Sequence, residues 1–163
     1  MTQALPPEAA GMVFRRCRSS SERRAAGGLL AERGIPVAEH GGAGTDLFGL
    51  WDLTAPAGEA LAGAAAIGPL GDGGEVQLRG IAVAAGSGHR GLASRLVCEV
   101  ADSLRGRGGG RLVARPAGGA GPTPGLLPSA GFVPAGVGRA AAHVVVPRTG
   151  APADEASWWE LEL

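Results

Sequence analysis

The sequence predicts an α/β domain of the α+β kind, with a mixed, mostly antiparallel central sheet of about six to seven strands flanked by helices. Three observations predict it. Leu92, Leu96, Val100 and Leu104 recur every four residues between Arg90 and Arg105, with Ala93, Val97 and Ala101 beside them. Arg95, Glu99, Asp102 and Arg105 lie outside that stripe, so the segment reads as a helix with one face on a sheet. The run EVQLRGIAVA (Glu75–Ala84) is a long strand pattern that ends at a glycine loop. The segments beyond this unit alternate like antiparallel strands between Gly- and Pro-rich breaks, without further βαβ units.

Met12–Arg18 (MVFRRCR) opens on apolar residues and reads as a first strand. The serines of SSSERRAAGGLLAERG offer caps for a first helix, with Leu29, Leu30 and Ala31 as its apolar stripe and Gly27-Gly28 as a weak point. Asp46–Leu53 places Leu47, Gly49, Trp51 and Leu53 on one face, and Ala60–Ile67 returns as its hairpin partner. After the helix at 90–105, RLVAR (111–115) is a short strand. Pro122, Pro124 and Pro128 then leave room for a turn or two of helix around Leu126 and Leu127. Phe132–Val137, His143–Val146 and Ser157–Leu163 are closing strands. In the last, Trp159, Leu161 and Leu163 share a face while Glu160 and Glu162 face water.

The length of 163 residues fits one domain, expected over 11–163 after a flexible tail at 1–10. The 15 basic residues, all arginine, balance 15 acidic ones, which leaves no electrostatic footprint for nucleic acid or an anionic membrane. The longest uncharged apolar stretch, Ala60–Gly71, is interrupted by Pro69 and falls short of the roughly 20 residues that span a bilayer. Cys17 and Cys98 have no companions at metal-ligand spacing, which favours two reduced thiols and a cytoplasmic location over a disulfide. No metal is expected. Lys, Asn and Tyr are absent while Gly, Ala, Arg and Pro abound, a skew that matches GC-rich coding.

GSGHRGLAS (86–94) spells G-x-G-x-x-G with Gly86, Gly88 and Gly91. A dinucleotide site also needs a second parallel strand and an acid about 20 residues on. RLVARPA carries no acid, so an NADP-binding oxidoreductase is disfavoured. A strand, a glycine loop bearing His89 and Arg90, and a helix opening directly from it still place free N–H groups and a positive dipole end where a pyrophosphate fits.

LRGIAVAAGSGHRGLASRLV resembles the acyl-CoA-binding motif of the GNAT superfamily of N-acetyltransferases. Ile81-Ala82-Val83 matches its strand triplet, and Gly91 with Ala93 matches the last two loop positions. Gly88 stands where the family usually has Gln or Arg. Gly131-Phe132 is similar to a second family feature, a Gly-Phe after a short helix.

The resemblance implies a GNAT-like acyl-CoA N-acyltransferase fold with acetyl-CoA as co-substrate. Ile81, Ala82 and Val83 would bond the pantetheine arm, and Gly88, His89, Arg90, Gly91, Leu92, Ala93 and Ser94 would cap the pyrophosphate. A primary amine, on a small molecule or a protein, would attack the thioester directly. The family's usual Glu base falls on Gln77, and Glu75, two residues earlier on the same face, is the substitute, or else an ordinary solvated strand-end charge. His143 is the other candidate base, or a histidine satisfied within the sheet. The family's Tyr acid falls on Leu127, with Ser129 the nearest hydroxyl, and Ala120 stands near the position of a cofactor-contacting Asn. These departures keep a second reading open, a catalytically degenerate acyl-CoA-binding or interaction module. Trp51, Trp158 and Trp159 read as core or as the border of a pocket. The SWWELEL strand would pair with a second copy if it lies at a sheet edge, a route to a homodimer.

Overall fold

The computed structural model describes residues 11–35, 44–56, 58–70, 75–85, 91–114, 126–134 and 159–163. In chain order these form β1 (Met12–Arg16), α1 (Ser20–Glu32), β2 (Asp46–Asp52), β3 (Ala60–Leu70), β4 (Glu75–Val83), α2 (Leu92–Arg105), β5 (Arg111–Ala114), α3 (Leu126–Ser129), β6 (Val133–Pro134) and β7 (Trp159–Glu162). They build one seven-stranded sheet in the order β1-β2-β3-β4-β5-β7-β6. β1 to β4 are an antiparallel meander, and α2 carries the chain across to β5, the one parallel neighbour among these pairs. The mixed, mostly antiparallel sheet flanked by helices is the architecture expected from the sequence.

β3 shows why the alanine-rich run works as a strand. Helices cover it on both faces, and Ala64, Ala65 and Ala66 are wholly buried, Ala65 towards α2 and the other two towards α1. The strand runs past the expected end at Ile67 to Leu70 and includes Pro69. Its pairing with β2 stops at Ile67, so among the described residues Pro69 has β4 on one side only, and its missing N–H can face away from the ladder.

The serine cap of α1 forms as read. Ser19 Oγ accepts the Glu22 N–H at 3.1 Å, and Glu22 Oε2 accepts the N–H groups of Arg18 at 2.9 Å and Ser19 at 3.1 Å. Those backbone bonds, with the Arg15 guanidinium, hold the Glu22 carboxyl down at about 2. The helix also passes through Gly27-Gly28. A Cβ on Gly28 would meet nothing within 4 Å, so Gly28→Ala is expected to stabilise the protein by about 0.5–1 kcal/mol, read as a raised denaturant midpoint at constant slope.

On the opposite face Leu92, Leu96, Val97, Val100, Ala101 and Leu104 bury the stripe of α2 with Leu78, Leu112, Leu126, Leu127 and Phe132. Cys17 lies in the α1-side core and Cys98 on the exposed side of α2, both as free thiols on opposite faces of the sheet. Burial pushes the Cys17 thiol up to about 11, which makes it unreactive at neutral pH.

Three expectations need correction. Leu53 falls in the turn after β2 and is 50% exposed, not on the inward face. β7 is not an edge strand but lies between β5 and β6, which pairs with Trp159 and Glu160, so the edge position that pairing of SWWELEL with a second copy requires is not met at those two residues. Glu160 does not simply face water, because Arg111 draws it in at 3.6 Å. The expected strand at His143–Val146 lies outside the described residues, as does the tail at 1–10.

Candidate functional site

Between β4 and β5 the described pairing takes up only the first part of β4. Among the described residues, which stop at Ala114 on the β5 side, the parallel pairing covers Glu75–Leu78 against Arg111–Ala114, while β4 runs on through Arg79 to Val83. Opposite Ala66 and Ile67 the register skips Arg79, a bulge that bends and twists a strand away from its neighbour. It also exchanges the faces of β4. Val76 before it, like Ile81 and Val83 after it, packs on the α2-side core, whereas Ala82 is buried on the α1 side.

The direction of the backbone groups follows from one bond. Ala84 N–H donates to the Ala62 carbonyl at 2.8 Å, so these two face each other as a hydrogen-bonded pair. In an antiparallel ladder the pair Ala64/Ala82 is then hydrogen-bonded too. The pairs Gly63/Val83 and Ala65/Ile81 between them turn their N–H and C=O groups outward, away from β3. Ile81 and Val83 thus present polar backbone towards the β5 side of β4. Ala82 locks β4 to β3 instead. The outward groups of Ile81 have no strand partner among the described residues, and the Val83 carbonyl accepts a 3.0 Å bond from the Arg33 guanidinium.

Beside this edge begins α2. Gly91 at its N-cap has φ +93°, in the left-handed region that favours glycine, and makes no side-chain cap bond. The first turn holds no acid, so the N–H groups at Leu92, Ala93 and Ser94 and the dipole end are available to an anion. The buried Leu92 side chain anchors this turn, and Ser94 Oγ lies 3.4 Å from Ser129 Oγ on α3. Ser129 in turn donates to the Leu126 carbonyl at 2.8 Å. Gly88, His89 and Arg90 lie outside the described residues, as do Ala120, His143 and Trp158.

Glu75 stands at the other end of β4, three residues or about 10 Å before Leu78, the last residue of the described pairing. Its carboxylate accepts from Arg111 at 3.0 Å, and Arg111 also meets Glu160 at 3.6 Å and Glu162 at 3.4 Å. The register explains the cluster: Glu75, Arg111 and Glu162 form one cross-strand row, and Gln77, Val113 and Glu160 the next. The sequence reading missed Arg111, Glu160 and Arg33 as neighbours of the site, since each is brought there by non-local pairing. Leu127 is wholly buried and offers no hydroxyl, and Trp51 packs in the α1-side core. Among the described residues, no group of three or more His, Cys, Asp or Glu could hold a metal ion. No helix among them is long and apolar enough to cross a membrane.

No protein-family model matches the chain, and no curated protein matches it by sequence. Solved structures do match it by shape. A GNAT-family N-acetyltransferase from Escherichia coli in complex with CoA aligns over 93% of this chain and 81% of its own, with a TM-score of 0.67 and 22% identity. The ribosomal-protein-S18-alanine N-acetyltransferase from Escherichia coli aligns over 93% of both chains, with a TM-score of 0.62 and 19% identity. An acetyltransferase from Bacillus subtilis in complex with CoA aligns over 93% of this chain and 99% of its own, with a TM-score of 0.62 and 16% identity. With the outward edge of β4 beside the N-terminus of α2, the chain has the fold of the GNAT N-acetyltransferases.

Proposed function

We propose that the protein is an N-acetyltransferase that moves an acetyl group from acetyl-CoA to a primary amine. The observation that carries this reading is the outward polar edge at Ile81 and Val83, set beside an uncapped helix N-terminus. The pantetheine arm of CoA is an extended chain with two amides, which an open strand edge can bond as an added strand. Its pyrophosphate suits N–H groups at a helix start, and among the described residues nothing stands within 4 Å of where a Cβ of Gly91 would be. Two structures of the same fold hold CoA, which supports the same ligand here.

In the reaction the amine nitrogen attacks the thioester carbonyl, a C–N bond forms and the C–S bond breaks. A backbone N–H of the outward edge polarises the carbonyl. An amine with a pKa near 10 must lose a proton, and Glu75 takes it through water, because its place at the start of β4 rules out direct contact with the outward edge. The departing thiol has a pKa near 8.5 and leaves without an acid at the Leu127 position. Glu75→Gln is expected to lower kcat at neutral pH by about 100-fold or more and leave CoA affinity unchanged. Steady-state kinetics with a calorimetric titration checks this, and an unchanged kcat removes Glu75 from the mechanism.

A second reading, an acyl-CoA-binding module without transfer, is favoured by the buried Leu127 and by Gln77. A thermal melt with acetyl-CoA tests the binding that both readings share, since a ligand of the native state must raise the midpoint. Acetylation of a panel of small amines and basic peptides separates them.

A further inference from the structure

Arg33 lies 50 residues before Val83 and on a different element, yet its guanidinium meets the carbonyl at the end of the outward edge. The position is fixed from below. The Arg33 N–H donates to the Leu30 carbonyl at 3.1 Å, and Gly34 turns the chain at φ +79°. Ile35, 4% exposed, docks over Gly80 of β4 so closely that a Cβ on Gly80 would lie 2.8 Å from it. The root of the Arg33 side chain is thereby pinned beside the bulged half of β4. Among the described residues the Arg33 side chain has no carboxylate partner, and its guanidinium bonds the Val83 carbonyl.

We propose that Arg33 is a latch on the ligand edge of β4. This rests on the reading of Ile81 and Val83 as the pantetheine edge. The Val83 carbonyl points where an added strand would lie, so a guanidinium bonded there stands in the path of the arm and must swing out before the arm docks. Binding then selects the unlatched fraction of the protein, and apparent affinity falls by that fraction. The latch acts on the arm and not on the phosphates, so its cost is the same for CoA and for pantetheine, which lacks the nucleotide and the pyrophosphate.

The test is a calorimetric titration of the full chain and its Arg33→Ala and Arg33→Lys variants with CoA and with pantetheine, with thermal melts to confirm folding. Arg33→Ala is expected to bind both ligands about three- to tenfold more tightly by the same factor, with Arg33→Lys between it and the parent. Equal affinities in proteins that all bind would overturn the latch and leave the proposed function standing. Weaker binding of CoA with unchanged binding of pantetheine would make Arg33 a phosphate ligand, again overturning the latch. If neither parent nor variant binds CoA at millimolar concentration, the proposed function falls and the latch with it.

Discussion

Gly91→Asp is expected to weaken CoA binding at least tenfold, equivalent to about 1.4 kcal/mol, while the protein stays folded. The variant places a carboxylate at the start of α2, where the phosphates of the ligand would otherwise meet free N–H groups and a positive dipole end. Two effects on the fold oppose each other. At φ +93° an L-residue is strained by about 1–2 kcal/mol, a penalty that Asp bears better than most. An Asp at an N-cap exceeds Gly there by only a few tenths of a kcal/mol, so a net cost of about 1–2 kcal/mol remains, within the stability of a domain. Calorimetric titration with CoA, beside a thermal melt without ligand, separates the two properties. An unchanged CoA affinity would mean that the phosphates do not use this helix end.

Leu96→Ala is expected to cost about 2–5 kcal/mol of stability. Leu96 is wholly buried in the middle of the stripe, and its side chain reaches β3, within 3.3 Å of where a Cβ of Gly63 would lie. Sheet and helix are both fixed there by other contacts, so the site collapses poorly around the cavity. For a domain of this size each kcal/mol lowers the midpoint by about 2–4 °C, so a drop of roughly 5–20 °C should appear in calorimetry. A shift below 2 °C would contradict the packing described for α2.

The parts of the fold that were legible in the sequence are those set by local periodicity. The four-residue repeat of α2, the alternation of Trp159, Leu161 and Leu163, and the serine cap of α1 each encode a face or an end within a few residues. The strand β4 was legible in its position, but not the irregularity within it. The bulge at Arg79 had one signal, the isolated Gly80 within a strand pattern, which marks such irregularities. What could not be read depends on register between distant segments. Glu160 and Glu162 alternate as solvent-facing residues, and only the pairing of β7 with β5 places them on Arg111. Arg33 likewise reads as an exposed helix-end charge until α1 is laid across β4. The expected end of β3 at Ile67 stops short of Pro69, and only the shorter reach of β2 makes room for that proline in the strand.

The role proposed for the outward edge of β4 and the start of α2 is acetyl transfer to an amine. The most direct measurement incubates the full chain with acetyl-CoA and a panel of small amines and basic peptides, following free CoA by thiol titration and the acceptor by mass spectrometry. The account predicts release of one CoA per acetyl group gained by at least one primary amine, with both signals lost or sharply reduced in Gly91→Asp. Raised thermal stability with acetyl-CoA but no acetylated amine from any acceptor would contradict it, leaving a protein that holds the ligand and does not transfer its acetyl group.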